Sequence, residues 1–296
     1  MASAYLAFPK NMTEGDRLTT KLARGINPET GEIGTFVPDG EGYVIRSEEQ
    51  REAGRKYFER ERRIDFGRRV DFTFTAMEAI GEVISVLTTA QCGFLTVLQC
   101  YVSYDTNTLV NADRTPMTTT DMLEALKLGR KRSTFYNFLA ACTANSIITE
   151  ESDGSYTVNP RYHFRGQARD VNVIRTYTAK IKQTYKDAKQ AADLGLIYRM
   201  LPFVNYEINA LCSNPTERDP RKIEWFNRKE LATAVGISEA ELTKRIRRLT
   251  VGNEYVIARI AVGGETKYMF NPHVFKRNKR QLNDTEQAMF NVKYRG

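Results

Sequence analysis

The chain has 296 residues, and its 44 lysines and arginines outnumber its 36 aspartates and glutamates, which leaves a formal net charge of +8. That length accommodates two compact domains of about 100 residues each beside a further segment, and the basic balance favours a polyanionic partner. No run of about 18 apolar residues occurs, so we expect no membrane-spanning helix and no membrane partner.

The first 70 residues differ in composition from the rest of the chain. Residues 25–42 are rich in glycine and proline, with one short strand candidate at residues 35–37 (TFV). Residues 47–50 (SEEQ) form a capping box that predicts a highly charged helix ending near residue 63. We interpret residues 1–70 as an amino-terminal arm with a charged helix.

Beyond the arm, the chain carries the same pattern twice. Residues 101–110 (YVSYDTNTLV) match residues 203–212 (FVNYEINALC) with four identities, and residues 156–160 (YTVNP) match residues 268–272 (YMFNP) further along. The patches recur in the same order with little drift in spacing, which indicates two copies of one fold unit. We predict domains at residues 71–166 and 194–280, followed by a tail at residues 281–296.

Each copy predicts two short helices followed by a β-hairpin. In the second copy, Asn227 is a predicted helix N-cap with Glu230 completing a capping box, Gly236 turns the chain, and Ser238 caps the next helix. In the first copy we expect the cap at residues 119–120 and a turn at residue 129. Hairpins are predicted around residues 153–154 (DG) and 263–264 (GG).

Residues 167–193 contain no proline and carry apolar or small residues at three- and four-residue steps. This spacing predicts one long amphipathic helix that joins the two copies. Such a helix can hold the copies apart, pair with its counterpart in a second chain to form a homodimer, or pack on the two copies.

The order of helices and hairpin is that of a winged helix, whose second helix of the turn motif enters the major groove of DNA. The predicted fold class is therefore mainly α with small β wings (α+β), as two tandem winged helix-turn-helix domains joined by a long helix. Domains of this kind that bind only protein remain the alternative.

Charge is distributed unequally over the two predicted reading helices. The first opens with cations and has no acid from residue 130 to residue 142, whereas the second opens with two glutamates and places its cations later. We therefore expect the first copy to supply more base contacts and the second more phosphate contacts. The candidate DNA-binding residues of the first copy are Arg130, Lys131, Arg132, Ser133, Thr134, Tyr136, Asn137, Arg161 and Arg165. Those of the second copy are Lys244, Arg245, Arg247, Arg248, Lys276, Arg277, Lys279 and Arg280.

Catalytic signatures are missing from the sequence. It contains two histidines, His163 and His273, and neither a phosphate-binding GxxxxGK[ST] loop nor a GxSxG or HExxH motif. The four cysteines show no CxxC spacing and are expected to be reduced core residues. We predict a protein that is not an enzyme, with no metal site, no cofactor and two histidines near backbone or phosphate.

Residues 71–166, which end in the sequence YTVNPRYHFRG, resemble the winged-helix replication proteins of Gram-positive plasmids known as the RepL family. The second copy, with residues 271–278 (NPHVFKRN), resembles the same pattern and related phage-encoded proteins. In plan, tandem winged helices are also similar to iteron-binding plasmid initiators. The resemblance implies binding to a replication origin on mobile DNA.

The leading hypothesis is a sequence-specific double-stranded DNA-binding protein of a plasmid or phage that initiates replication, with the arm recruiting a helicase or another copy of the chain. One alternative is a transcription regulator, repressor or activator, that uses the same two domains. Another is an adaptor whose winged helices bind host replication or transcription machinery such as RNA polymerase. Because the first ten residues lack the plan of a signal peptide, we expect the protein in the cytoplasm of a bacterial host.

Overall fold

The computed structural model describes residues 6–9, 24–27, 31, 33–35, 43–46, 48–49, 52, 71–104, 106–168, 172–188, 190–278 and 288–292. The chain divides into two compact units, Met1–Arg69 and Val70–Gly296. Over the described residues there are eight α-helices and several small antiparallel sheets, so the fold is α+β as the sequence predicted. No helix in that part of the chain has both the length and the apolar character needed to cross a membrane.

The first unit contains two antiparallel strand pairs. Strand β1 (Leu6–Pro9) pairs with β4 (Tyr43–Arg46), and β2 (Arg24–Ile26) pairs with β3 (Ile33–Thr35). The sequence indicated one strand at residues 35–37, whereas β3 ends at residue 35 and residues 36–37 lie outside the described part. Residues 48, 49 and 52 of the predicted charged helix are helical, and its other residues are not among those described.

The second unit begins with the first repeat. Its elements are β5 (Phe72–Ala76), α1 (Ile80–Val86), α2 (Thr89–Leu98), a 3-10 turn (Gln99–Tyr101), α3 (Thr119–Ala125), α4 (Arg132–Ala144), β6 (Ile148–Glu150), β7 (Tyr156–Val158) and β8 (His163–Phe164).

The second repeat follows the same order with a longer hairpin region. Its elements are β9 (Val173–Tyr177), α5 (Thr178–Asp187), α6 (Ala191–Met200), 3-10 turns at Leu201–Phe203 and Pro220–Lys222, α7 (Arg228–Val235), α8 (Glu239–Arg248), β10 (Thr250–Val251), β11 (Glu254–Tyr255), β12 (Ile257–Val262), β13 (Glu265–Phe270) and β14 (Phe275–Lys276).

A four-stranded antiparallel sheet of order β14-β9-β5-β8 joins the two repeats. The two central strands, β5 and β9, pair with Phe74 opposite Arg175 at the middle of the register. The pair Phe72↔Tyr177 at one end is equivalent by symmetry to the pair Ala76↔Val173 at the other. Strand β8 pairs with β5, as β14 pairs with β9. The sheet therefore has a pseudo-twofold axis, and each repeat contributes one central and one outer strand.

Two glycines lie where α2 and α6 cross on the same pseudo-twofold axis. A Cβ atom at Gly93 would overlap the backbone carbonyl of Ala191, and one at Gly195 would overlap that of Thr89. Thr89 and Ala191 are themselves equivalent positions, so each helix presents a glycine to the first turn of the other. Only glycine permits so close an approach of two backbones.

Equivalent asparagines fix the loop that follows the 3-10 turn in each repeat. Asn107 and Asn209 have positive φ values of 58° and 55°, a conformation that asparagine tolerates better than most residues. The Nδ2 of Asn107 donates to the carbonyl oxygen of His163 at 2.8 Å, and that of Asn209 to the carbonyl oxygen of Phe275 at 2.7 Å. The repeat predicted from the YxxNxL patches is confirmed by these matching contacts.

The continuous helix predicted for residues 167–193 is wrong. Val173–Tyr177 is strand β9, in which Ile174 and Thr176 are buried and their neighbours are half-buried. Helix α5 then ends at Asp187, because Ala188 is extended at φ −68° and ψ 141°. Pairing with β5 stabilises this segment as a strand, and its apolar stripe continues into a helix that packs inside the unit. Local helical spacing is overridden by this long-range pairing.

Both repeats share one hydrophobic core. A single cluster of buried side chains runs from α1 through α4 of the first repeat to α5–α8 and β13 of the second. Its largest fully buried members include Phe135, Phe138, Tyr198, Phe270 and Phe275. Burying one such side chain stabilises a fold by roughly 1.5–3 kcal/mol, so the repeats are held together by core packing as well as by the sheet.

Candidate nucleic-acid interface

In the first repeat, α3 and α4 form a helix pair. Thr118 is the N-cap of α3, one residue before the expected position, and it forms a capping box with Asp121. The turn before α4 uses Lys127, with φ at 53°, where the sequence suggested Gly129. These contacts fix the direction in which α4 leaves the turn.

Helix α4 is amphipathic, and its burial pattern decides which residues face solvent. Its buried stripe is Phe135, Phe138, Leu139 and Cys142, as the sequence predicted. The opposite face is exposed and comprises the seven candidate residues Arg130, Lys131, Arg132, Ser133, Thr134, Tyr136 and Asn137. The structure therefore brings these seven residues onto the start and outer face of one helix, whereas Arg161 and Arg165 lie after the hairpin.

Three consecutive cations lie at the start of α4. Within the described part of the chain, no carboxylate forms an ion pair with Arg130, Lys131 or Arg132. Tyr136 follows them with 48% of its side chain exposed. An aromatic ring beside unpaired cations provides hydrogen-bond donors and a stacking surface, the two requirements for contact with a polyanion that carries bases.

Helices α7 and α8 form the equivalent pair in the second repeat. The Asn227–Glu230 capping box, the Gly236 turn with φ at 73° and the Ser238 N-cap are all confirmed. A groove of about 590 Å³ runs along the two helices. Its lining residues are Arg228, Glu239, Ala240, Thr243, Lys244, Arg247 and Arg248.

Two of the second-repeat candidates point into the protein. Arg248 donates to Asp193 of α6 at 2.8 Å, and the Nη1 of Arg245 lies 3.6 Å from the same carboxylate. Arg245 also donates to Glu241 at 2.6 Å, which lowers the pKa of that carboxyl group. Asp193 is 1% exposed, so these two arginines hold α8 on α6.

Lys244 and Arg247 are the second-repeat cations that remain exposed on α8, and neither forms an ion pair with any residue of the described part. Arg228, which sequence reasoning missed, lies on the same groove and pairs with Glu239 at 2.8 Å. Its position directly after the N-cap residue was the available signal. The outer face of α8 is thus less basic than that of α4.

The candidates after the first hairpin are paired with carboxylates. Arg161 forms a short ion pair with Glu82 and keeps 61% of its side chain exposed. Arg165 donates to Asp71 at 2.5 Å. Both side chains therefore tie the end of the first repeat to residues at its beginning.

The candidates after the second hairpin are divided between buried, half-buried and undescribed positions. Lys276 is half-buried in β14, and Arg277 is 6% exposed. Arg277 donates to the carbonyl oxygens of Val204 and Pro215 at 2.6 and 2.9 Å. Lys279 and Arg280 lie outside the described residues. The proposed cluster at residues 276–280 is therefore not a single exposed patch in the part that the structure describes.

The two hairpins differ in charge. The first turns through residues 151–154, where the amide of Gly154 donates to the carbonyl oxygen of Glu151 at 2.9 Å, so its loop is longer than the expected two residues. Its exposed tip contains Glu150, Glu151 and Asp153. The second hairpin turns at residues 263–264 as predicted and exposes both Arg259 and Glu265, so it is less acidic than the first.

One of the two histidines expected near backbone or phosphate lies in the core. His163, predicted to lie near backbone or phosphate, is completely buried between the hydroxyl groups of Thr75 at 3.1 Å and Tyr198 at 2.8 Å. Burial lowers its pKa to about 3.

All four cysteines are buried free thiols, and burial raises the pKa of Cys92 to about 11. Among the described residues, no group of three histidine, cysteine or acidic side chains is placed to hold a metal ion.

No protein-family model, curated protein or solved structure matches this chain significantly.

Proposed function

We propose that this chain is a sequence-specific double-stranded DNA-binding protein of a plasmid or phage, with two non-identical winged-helix heads, that acts in replication initiation. The observation that carries the proposal is the exposed start of α4, where three consecutive cations have no described counter-ion. In each repeat this second helix of a pair precedes a hairpin, the order used by winged helices that insert a helix into the major groove.

The two heads would make different contributions. Arg130 and Arg132 can pair with guanine and Asn137 with adenine, whereas lysine, serine and threonine usually contact phosphate. The second head offers Lys244 and Arg247 beside Glu239 on its outer face. We propose that α4 reads sequence and that α8 mainly positions the protein on the backbone.

A covalent pair of heads binds more tightly than either head alone, because the second contact becomes intramolecular. Five exposed cations on α4 and α8 would neutralise up to five phosphates. The logarithm of the binding constant would then fall with the logarithm of salt concentration with a slope of up to about −4.5. A slope near zero would contradict the electrostatic part of the proposal.

The first test replaces the cations of each head separately. Changing Arg130, Lys131 and Arg132 to alanine should nearly abolish specific binding, whereas Lys244→Ala with Arg247→Ala should weaken binding to all sequences and reduce the salt slope by about 2. A matched control removes two exposed cations elsewhere, at residues 186 and 222, and should leave affinity unchanged. Intact sequence-specific affinity in the triple variant would refute the assignment of α4.

Initiation and regulation are separated by where the protein binds. Fragments of the source replicon would be captured by the purified chain at about physiological salt, since affinities depend strongly on ionic strength, and sequenced. Enrichment at repeats beside an A·T-rich tract supports an initiator, in line with the resemblance to RepL-type proteins. Enrichment over promoters favours a transcription regulator, and no enrichment favours an adaptor that binds protein.

A further inference from the structure

Arg165 and Arg277 occupy equivalent positions in the two repeats but have different partners. Each follows the outer strand of its repeat and reaches the residue that precedes the central strand. In the first repeat that residue is Asp71, which accepts from Arg165. In the second repeat it is Asn172, which accepts from Arg277 through its amide oxygen. One arginine therefore has a carboxylate partner, and the other has a neutral one.

Arg277 is a buried cation without a described counter-ion. Its acceptors are the carbonyl oxygens of Val204 and Pro215 and the amide oxygen of Asn172, and its Nε has no partner among the described residues. Burial, with a contribution from the nearby Arg218, lowers the pKa of this guanidinium to about 10. A buried charge that lacks an opposite charge is destabilising. In the first repeat the equivalent Arg165 is only half-buried and has the Asp71 carboxylate as its partner.

A cavity adjoins this arginine. It measures about 370 Å³ and is lined by Asn172, Val173, Tyr206, Thr216, Arg218 and Arg277. The guanidinium carbon of Arg218 lies 4.5 Å, and that of Arg277 5.5 Å, from the centre of the Tyr206 ring. The side chain of Arg218 is 73% exposed and its Nη1 is 3.6 Å from Glu207. Two cations thus line one cavity, and the described ion pair there joins Arg218 to Glu207 and not Arg277 to a carboxylate.

We infer that this cavity binds a phosphate group, which supplies to Arg277 the negative charge that Asp71 supplies to Arg165. Guanidinium groups match the tetrahedral oxygens of phosphate and form charge-assisted hydrogen bonds with them. The hydroxyl of Thr216 and the second guanidinium, on Arg218, complete a small set of donors around the opening. The cavity volume is in the range of small-ligand sites.

The phosphate would strengthen the attachment of β9 to the second repeat. Arg277 already connects the loop carbonyls at Val204 and Pro215 to Asn172, the residue before β9. An anion beside its guanidinium would stabilise this three-way connection. The inference does not depend on DNA binding, because inorganic phosphate alone is sufficient to test it.

The test measures thermal unfolding and calorimetric binding with inorganic phosphate against chloride at equal ionic strength. Phosphate should raise the Tm of the full chain. Arg218→Ala should weaken phosphate binding about tenfold or more, the loss expected for one charge-assisted hydrogen bond. Arg221→Ala is the matched control, because this arginine is 89% exposed and pairs with Asp219, and it should bind phosphate like the wild type.

The decisive variant is Asn172→Asp, which copies the first repeat. It should raise the Tm without phosphate and remove the response to phosphate. An unchanged response in this variant, or no response in the wild type, would overturn the inference. Asp170 lies two positions before Asn172 in the sequence and outside the described residues. The variant Asp170→Asn therefore tests whether this carboxylate is the counter-ion of Arg277. If that variant alone gained a phosphate response, its carboxylate would be the counter-ion and the inference would be wrong.

Duplex DNA identifies the source of the phosphate. If Asn172→Asp and Arg218→Ala weaken DNA binding, and inorganic phosphate competes with DNA for the wild type, the site holds a backbone phosphate. If DNA affinity is unchanged while phosphate still binds, the site holds a free phosphate or a phosphorylated small molecule. Loss of DNA binding in the α4 triple variant, with phosphate binding intact, would separate this site from the reading helix.

Discussion

Acidification from pH 7 to pH 5 should destabilise the fold through His163. Its imidazole is completely buried and its two nitrogens face the hydroxyl groups of Thr75 and Tyr198. Burial lowers the pKa of this group from 6.5 to about 3. At pH 5 the unfolded chain therefore binds a proton on this histidine, while the folded chain does not.

The sign and size of the effect follow from linkage. Between pH 3 and pH 6.5 the unfolded state holds more protons than the folded state, so the free energy of unfolding increases with pH in that window. With those two pKa values, the loss of stability at pH 5 relative to pH 7 is about 2 kcal/mol. Carboxylates with lowered pKa values, such as Asp121 and Asp153, remain ionised at pH 5 and add little to the difference.

The assay is urea denaturation at pH 7 and pH 5 for the wild type and His163→Gln. Glutamine does not titrate but can still hydrogen bond to both hydroxyl groups, so the comparison uses the change with pH and not the absolute stability. The His163 variant should lose less stability on acidification than the wild type by about 2 kcal/mol. Equal pH dependence in the two proteins would refute the reasoning.

Two further predictions concern packing between the repeats, each read out as the free energy of unfolding in urea. Gly195→Ala would force a Cβ into the facing helix backbone and should cost about 1–3 kcal/mol or more, whereas Gly81→Ala, whose Cβ meets no atom within 4 Å, should stabilise by about 0.5–1 kcal/mol; a tolerated Gly195 substitution would contradict the close crossing. Asp193→Asn leaves Arg248 without its buried partner and should cost about 3 kcal/mol, whereas Asp219→Asn at an exposed pair should change stability by less than about 1 kcal/mol. Equal effects at the two aspartates would argue against a buried ion pair on α6.

Local signals in the sequence predicted the helix pairs and hairpins well. The Asn227 cap, the Gly236 turn and the glycine pair at residues 263–264 were identified because each requires a particular residue type at one position. The buried stripe of α4 was identified from its spacing, which also placed the exposed cations correctly. These features depend on neighbours within a few residues along the chain.

Long-range pairing accounts for what the sequence did not predict. Residues 173–177 have apolar spacing compatible with a helix, and only their pairing with β5, about 100 residues away in the chain, makes them a strand. Arg245 and Arg248 resemble exposed cations on a helix, but Asp193 draws both toward α6. Arg277 resembles a surface residue in a basic run, and its burial follows from the loop carbonyls it contacts.

The symmetry of the scaffold and the asymmetry of its surface have separate physical origins. A twofold axis through a helix crossing repeats every contact. The close approach of Gly93 to the carbonyl of Ala191 is therefore matched by that of Gly195 to Thr89, and both helices need glycine. This is the geometry of an isologous dimer interface, formed here within one chain. Because the copies are covalently joined, residues away from the axis are free to differ. The basic start of α4 and the acidic start of α8, like the Asp71 and Asn172 partners of the two arginines, show how far they have diverged. A single chain can thus present two unlike helix surfaces on a nearly symmetric frame, which a homodimer of one repeat cannot do.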